Sequence, residues 1–345
     1  MIMPIPTPVS GGLILSYRCS AACKHCMYAC TPEWSRDRIS AGDLELILTQ
    51  LSETIQPSPE GPEAMSLSHG LHFTGGEPFL DFDLLCKAVE IAEGLGIPST
   101  FVETNCAWCV DDRTAREKLS TLKGKGLEGI MISVNPFFLE FVPFERTQRA
   151  IRHALEVFGR NVIVYQLEYY RRFEQRGIRG KVPLEDYLKL EPEEDFSTNL
   201  EFFLMGRAPY ALEPILDGLF PRHTVESLAA QPCWPPFLRS WHNHFDNYGN
   251  FMPGFCGGIS LGDCRRLRTL LEEGVDLDDR PVLGVLVRDD LKGLLGFARE
   301  RGYVEAERGY FSKCHLCADI RKHLAAVGDF QELAPHEFYT HLAGS

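Results

Sequence analysis

The sequence predicts an α/β fold: a partial (β/α)6 barrel, TIM-like in its layering, over residues 1–210, followed by a small α+β domain over residues 211–345. Three observations predict it. Short β-branched runs alternate with helical-period stretches through the first two thirds of the chain, which implies parallel strands joined by crossover helices. Polar signatures fall where predicted strands end, and parallel α/β sheets carry their chemistry there. After about residue 210 the alternation gives way to a hairpin pattern and isolated helices.

Gly12–Tyr17, Gly70–Thr74, Thr100–Glu103, Gly129–Val134, Val162–Leu167 and Leu200–Leu204 read as strands. Apolar residues recur with helical period over Ala41–Ser52, Leu80–Gly94, Thr114–Leu122 and Phe144–Phe158. Six such units make an open or partial barrel rather than a full eightfold one. His242–Gly258 reads as a hairpin with Asn247, Tyr248 and Gly249 in the turn. The acidic connector Glu272–Arg280 follows, then a helical stretch and a cysteine-rich helix start at "YFSKCHLCADIRKHL".

Composition narrows the function classes. A net charge of −13 argues against a broad nucleic-acid or anionic-membrane surface. No apolar run reaches the roughly 18 residues of a membrane span. The opening "MIMPIPTPVSGG" lacks the basic start of a signal peptide. A cytoplasmic protein, with no nucleic-acid or membrane partner, is expected. Twelve cysteines in such a chain point to metal, cluster or redox chemistry rather than a disulfide framework.

Cys19, Cys23 and Cys26 are spaced C-x3-C-x2-C within "RCSAACKHCMYAC". Three thiolates in one loop can hold three irons of a [4Fe–4S] cluster and leave the fourth iron open to a small chelating molecule. Two readings compete: a structural zinc site, although zinc usually shows paired C-x2-C halves and four ligands, and a simple ferredoxin, although Cys30 does not fall on the spacing of its fourth cysteine. Some fifty residues on, "FTGGEPFL" places Gly75, Gly76, Glu77 and Pro78 at a predicted strand end. Two glycines permit close backbone approach to a ligand, and a glutamate can accept from an ammonium group.

With these motifs in this order the chain resembles the radical S-adenosylmethionine enzymes over residues 12–208. The resemblance implies that S-adenosylmethionine binds the open iron, and that one electron cleaves it to a 5′-deoxyadenosyl radical that abstracts a substrate hydrogen. It implies contacts to the methionyl ammonium from Gly75, Gly76 and Glu77, with Pro78 closing the motif. His25 stands where the family usually has an aromatic residue framing the adenine. "VETNC" makes Glu103 and Asn105 candidates for the ribose. "SVNP" makes Ser133 a ligand candidate and Asn135 a substrate contact. Arg146 is a candidate partner of the methionyl carboxylate, and "LMGRA" (204–208) resembles the adenine edge of the last strand.

Cys233, Cys256, Cys314 and Cys317 resemble the twitch or half-SPASM extension of the same superfamily, in which four cysteines hold an auxiliary [4Fe–4S] cluster. Zinc on the same four thiols stays open, and Cys264 is an alternative to Cys256. Cys86 reads as core. Cys106 and Cys109 read as buried small residues, a redox pair or a hydrogen-atom donor; Cys30 stays unassigned.

The expectation is therefore a two-cluster enzyme performing oxidation or rearrangement of a small molecule. Its electron would come from an external reductant such as flavodoxin or ferredoxin. The alternatives are a ribosomal-peptide-modifying enzyme of the same superfamily and a zinc-stabilised binding protein without the chemistry.

Overall fold

The computed structural model describes residues 1–191, 200–201, 203–233 and 235–342. Nine strands are used below: β1 (Ile2–Met3), β2 (Ser10–Ile14), β3 (Gly70–Thr74), β4 (Phe101–Thr104), β5 (Gly129–Ser133), β6 (Val162–Tyr165), β7 (Asn243–Asp246), β8 (Phe251–Met252) and β9 (Val275–Asp276). Seven of them form one sheet in the order β6-β5-β4-β3-β2-β7-β8. Every neighbouring pair is parallel except β7 and β8. Strands β1 and β9 pair separately and antiparallel.

From β2 to β6 the order of predicted elements holds. Helices Ala41–Ser52, Phe82–Gly94, Asp112–Gly124 and Phe144–Phe158 link successive strands. Polar caps start three of them: Ser40 accepts from the Asp43 N–H, Asp81 from Leu84 and Asp111 from Thr114. Such caps satisfy N–H groups that a helix leaves unpaired at its start. Leu71 and Phe73 of β3, Val102 of β4 and Ile130 and Ile132 of β5 are wholly buried. Strands covered on both faces read as continuous apolar runs, as these do.

The sixth strand differs from expectation. Of the predicted strand Leu200–Leu204, Phe202 lies outside the described residues and the others are not in a strand. The sixth parallel strand is β7, the first arm of the hairpin, which pairs with β2. Segments from the expected 211–345 domain are therefore hydrogen-bonded into the sheet of the 1–210 region. Local periodicity marks Asn243–Asp246 as a strand but carries no record of its distant partner.

Asp246 anchors this join. Its carboxylate accepts from the Tyr17 hydroxyl at 2.9 Å, the N–H groups of Tyr248 and Asn250 at 3.0 and 2.8 Å, and Asn250 Nδ2 at 3.0 Å. Tyr17, just beyond β2, stacks on Trp34 with ring centroids 4.4 Å apart. The hairpin turn is thus tied to the segment that enters the cysteine loop. Asp246→Ala strips a buried network of its acceptor and leaves two turn N–H groups without a partner. It is expected to lower the unfolding free energy by about 2–4 kcal/mol, measured by urea denaturation; a loss within 0.5 kcal/mol (~0.5, the scatter of ordinary surface changes) would show that the turn holds without it.

Candidate functional site

The loop leaving β2 cannot use a strand ladder, so its shape depends on contacts that come from elsewhere. Short turns fold it locally: Cys26 N–H donates to Cys23 O at 3.1 Å and Ala29 N–H to Cys26 O at 3.3 Å. The buried guanidinium of Arg207 does the rest. It donates to Cys23 O at 3.0 Å, Ala29 O at 2.6 Å, Cys30 O at 3.1 Å and His341 O at 3.1 Å. The Arg207 N–H adds a bond to Cys26 O at 3.0 Å. Gly206 has φ +57°, and a Cβ there would stand 2.6 Å from Cys26 O, so glycine is required. The segment expected at an adenine edge therefore also clamps the cysteine loop.

Cys19, Cys23 and Cys26 are free thiols that line one cavity of about 400 Å³. Gly75, Gly76, Glu103, Asn105, Ser133 and His25 line the same space. Candidates from three strand ends and one loop thus meet at one place. Burial pushes the Cys19 thiol up to about 12 and raises Cys23 as well.

The polar candidates are positioned differently from one another. Asn105 Nδ2 donates to Ser20 Oγ at 3.1 Å and lies 3.6 Å from Cys19 Sγ. Glu103 accepts from the Thr74 hydroxyl at 2.7 Å, and burial raises its pKa to about 7. His25 stacks on Phe137 at 4.5 Å and accepts from Asn135 Nδ2 at 3.3 Å. Burial lowers His25 to about 3, so the ring is neutral. The Glu77 carboxylate accepts from the Thr104 hydroxyl at 2.9 Å, Asn105 N–H at 2.8 Å and Phe79 N–H at 3.2 Å. Those bonds pin the ends of β3 and β4 together; burial still lifts its pKa to about 7. Glu77 and Pro78 line a second, neighbouring depression of about 650 Å³ that also holds Arg18, Arg36 and Arg38. Asn135 caps the turn at Phe137 and Phe138, and Arg146 donates to Ala107 O.

The late cysteines also converge. Cys233, Cys256, Cys314 and Cys317 all lie within electrostatic reach of one another. Cys314 and Cys317 sit in the first turns of helix Lys313–Val327, whose Ser312 cap accepts from His315 N–H at 3.0 Å. The buried Arg321 guanidinium bonds to Cys317 and to Gly257 O, and its Nε has no partner. Cys264 lies among Asp246, Asp263 and Arg265 instead. Cys106 and Cys109 are fully buried, and Cys106 has φ 67°; Cys30 is buried at the cavity lining.

Sequence reasoning missed the clamp by Arg207, which no local motif signals. It also gave no role to His72, His242 and His244, each of which offers one ring nitrogen within 4.8 Å of the other two. The pair at 242 and 244 is visible as His-x-His, but His72 joins it only through strand register.

Removing the Arg207 clamp leaves three buried carbonyls and one half-buried carbonyl without their charged donor. Arg207→Ala is expected to destabilise the fold by about 2–4 kcal/mol. Arg207→Lys, a single ammonium in place of a fork, should recover less than half of that. Urea denaturation of both variants checks this, and equal stability of wild type and Arg207→Ala would contradict it.

No protein-family model matches the chain. A curated relative, "putative peptide biosynthesis protein YydG" of Bacillus subtilis (strain 168), is 24% identical over 142 residues. That match covers 41% of this chain and 40% of the relative, so the chain spans about two fifths of the relative's length. Among solved structures, BtrN in complex with AdoMet and 2-DOIA is 15% identical with TM-score 0.36, covering 77% of this chain and 88% of that one. Native anSMEcpe with bound AdoMet and Kp18Cys peptide is 14% identical with TM-score 0.44, covering 92% and 97%. Streptococcus suis SuiB bound to S-adenosylmethionine is 16% identical with TM-score 0.31, covering 72% and 60%. In the spacing of its cysteine loop, its GGEP strand end and the motifs after β4 and β5, this chain is similar to the radical S-adenosylmethionine enzymes.

Proposed function

We propose that this chain is a radical S-adenosylmethionine enzyme built on a partial barrel with a twitch-like C-terminal region. One observation carries the reading: three free thiols spaced C-x3-C-x2-C share a cavity with the GG backbone and with polar side chains from the next two strand ends. The C-x3-C-x2-C spacing suits a cluster bound on three sides with one metal position open; Cys30 lines the same cavity but stands outside that spacing. The buried Arg207 cation beside the loop suits an anionic thiolate centre. A [4Fe–4S] cluster held by Cys19, Cys23 and Cys26, with S-adenosylmethionine on its open iron, would supply a 5′-deoxyadenosyl radical able to take a substrate hydrogen.

The chain's own residues bind, orient and exclude water. Gly75 and Gly76 line the cavity, and because a Cβ at either would meet the Ser16 or Arg18 carbonyl, glycine lets this turn pack against the start of the cysteine loop. Glu103, Asn105 and Ser133 offer polar atoms at the ends of β4 and β5, and His25 offers a neutral aromatic face. Glu77 and Pro78 hold the strand-end turn in shape. Arg146 supports the loop after β4 through Ala107 O. Cys233, Cys256, Cys314 and Cys317 would fill a second cluster completely, and the partnerless Nε of buried Arg321 gives that thiol set a compensating charge. The electron would come from an external carrier of flavodoxin or ferredoxin type.

A net oxidation or rearrangement of a small molecule is the reaction we favour from the sequence. A peptide substrate is the second reading, supported by the name of the curated relative. No described helix is long and apolar enough to cross a membrane.

Reconstituted protein is expected to carry about eight irons and to cleave S-adenosylmethionine slowly when reduced. The triple Cys19/Cys23/Cys26→Ala variant should lose cleavage and about four irons. Cys314→Ala/Cys317→Ala should lose about four irons and keep cleavage. Cleavage by the triple variant would defeat the assignment. An iron-free protein holding zinc at both thiol sets would favour the binding-protein alternative.

Glu77→Ala removes the acceptor that holds Asn105 N–H and the Thr104 hydroxyl. S-adenosylmethionine affinity should fall about ten- to a hundredfold with iron content unchanged. Equilibrium dialysis is the measurement, and unaltered affinity would place Glu77 outside the binding machinery.

A further inference from the structure

Beneath the cavity the register of three strands assembles a group of imidazoles that the radical chemistry leaves unused. His72 of β3 and His244 of β7 both stand opposite Gly12 of β2, one on each side. A Cβ on Gly12 would overlap the His72 ring and lie 2.8 Å from His244 Cδ2. Glycine at this position therefore opens a gap that the two rings fill. His242, just ahead of β7, completes the group, with ring centroids 5.2 Å from both His72 and His244. Its backbone is left-handed at φ 52°, uncommon for a residue with a side chain, and its N–H is held by Ser10 Oγ at 2.8 Å.

The hydrogen bonds decide which ring nitrogens are free. His242 Nδ1 lies 2.9 Å from Leu67 O, and His244 Nδ1 lies 2.8 Å from Gly254 O. A carbonyl oxygen only accepts, so both Nδ1 atoms carry the proton. The Tyr28 hydroxyl, 2.9 Å from His244 Nδ1, accepts a share of the same N–H. Both Nε2 atoms are then bare lone pairs. Nδ1–H bonded to a backbone carbonyl is the arrangement that orients metal-ligating histidines. His72 is 2% exposed, and its Nε2 has no hydrogen-bond partner; the nearest charge is Glu103 Oε1 at 3.4 Å. Three buried or half-buried imidazoles thus converge, two of them with unprotonated Nε2 atoms.

We infer that His72, His242 and His244 form a binding site for a divalent transition-metal ion of the zinc type, distinct from both cysteine sets. One nitrogen of each ring already lies within 4.8 Å of the other two. A tetrahedral ion with bonds of about 2.0 Å sets its ligands about 3.3 Å apart, so closure by at most about 1.5 Å completes it. Such a shift requires the rings to turn about χ1 and χ2. Three histidine ligands leave a fourth position, as in zinc sites that take an exogenous oxygen ligand. His242 and His244 line the same cavity as the cysteine loop, as does Glu103. The bound ion would hold a carbonyl or carboxylate oxygen of the substrate there, and so orient it in that cavity.

The site is tested on the iron-loaded protein by adding zinc sulfate, removing excess by dialysis and measuring zinc and iron together. One retained zinc per chain is expected. Zinc-edge X-ray absorption should show nitrogen neighbours at about 2.0–2.1 Å rather than sulfur at about 2.3 Å. His242→Gln and His72→Gln should each weaken zinc binding at least tenfold with iron content unchanged. Failure to retain zinc, a sulfur-only shell, or unaltered binding in both variants would overturn the inference. The wild-type spectrum decides the matter even if a variant misfolds. Iron content and cofactor cleavage report separately on the radical-enzyme reading, so either can fail alone.

Discussion

One buried guanidinium holds the cysteine loop in shape. The loop after β2 has no ladder of its own, yet it must present three thiols to one cavity. Arg207 solves this by gathering four backbone carbonyls, three of them from the loop and one from His341 near the C-terminus. Carbonyls buried without donors cost free energy, and a fork of five N–H groups can satisfy several at once. Because Gly206 lies against the loop backbone, the clamp can sit at contact distance. A loop made rigid by a distant segment is preorganised in a way that its own sequence could not achieve.

The same logic runs through the sheet. Strand β2 joins the early and late parts of the sheet: β3 lies on one side, and the late strand β7 on the other. Placing β7 there brings Asp246 to Tyr17, and so joins the hairpin turn to the start of the cysteine loop. It also brings His244 level with His72 across the gap at Gly12. A shift of one residue in this register would turn every side chain of β7 to the other face. The histidine group and the Asp246 anchor therefore depend on the same pairing.

Burial raises Cys19, Cys23, Cys256 and Cys314, whereas hydrogen bonding lowers Cys26 and Cys317 to about 6. Cys19 and Cys23 are held neutral by loss of water, and each cysteine set has one buried arginine close by. Arg207 lies within electrostatic reach of Cys23 and Cys26, and Arg321 within reach of Cys256 and Cys317. A cation in that position lowers the cost of thiolate character at the second set. Each set thus has a buried cation beside it, and at the first set that cation also ties down the loop backbone.

Much of this was legible in one dimension. The C-x3-C-x2-C spacing, the GGEP strand end and the helices at Ala41–Ser52 and Phe144–Phe158 rest on local periodicity and on neighbours within a few residues, which a sequence records directly. The motifs after β3, β4 and β5 meet because parallel strands bring their carboxyl ends to one edge, a consequence of topology that alternation already implies. The sixth strand, the Arg207 clamp, the engagement of Glu77 by Thr104 and Asn105, and the His72–His242–His244 group were not legible. Each depends on a pairing between segments far apart in the chain. Side-chain periodicity states which face a residue takes, but it does not state which strand will lie beside it, and only the folded sheet decides that.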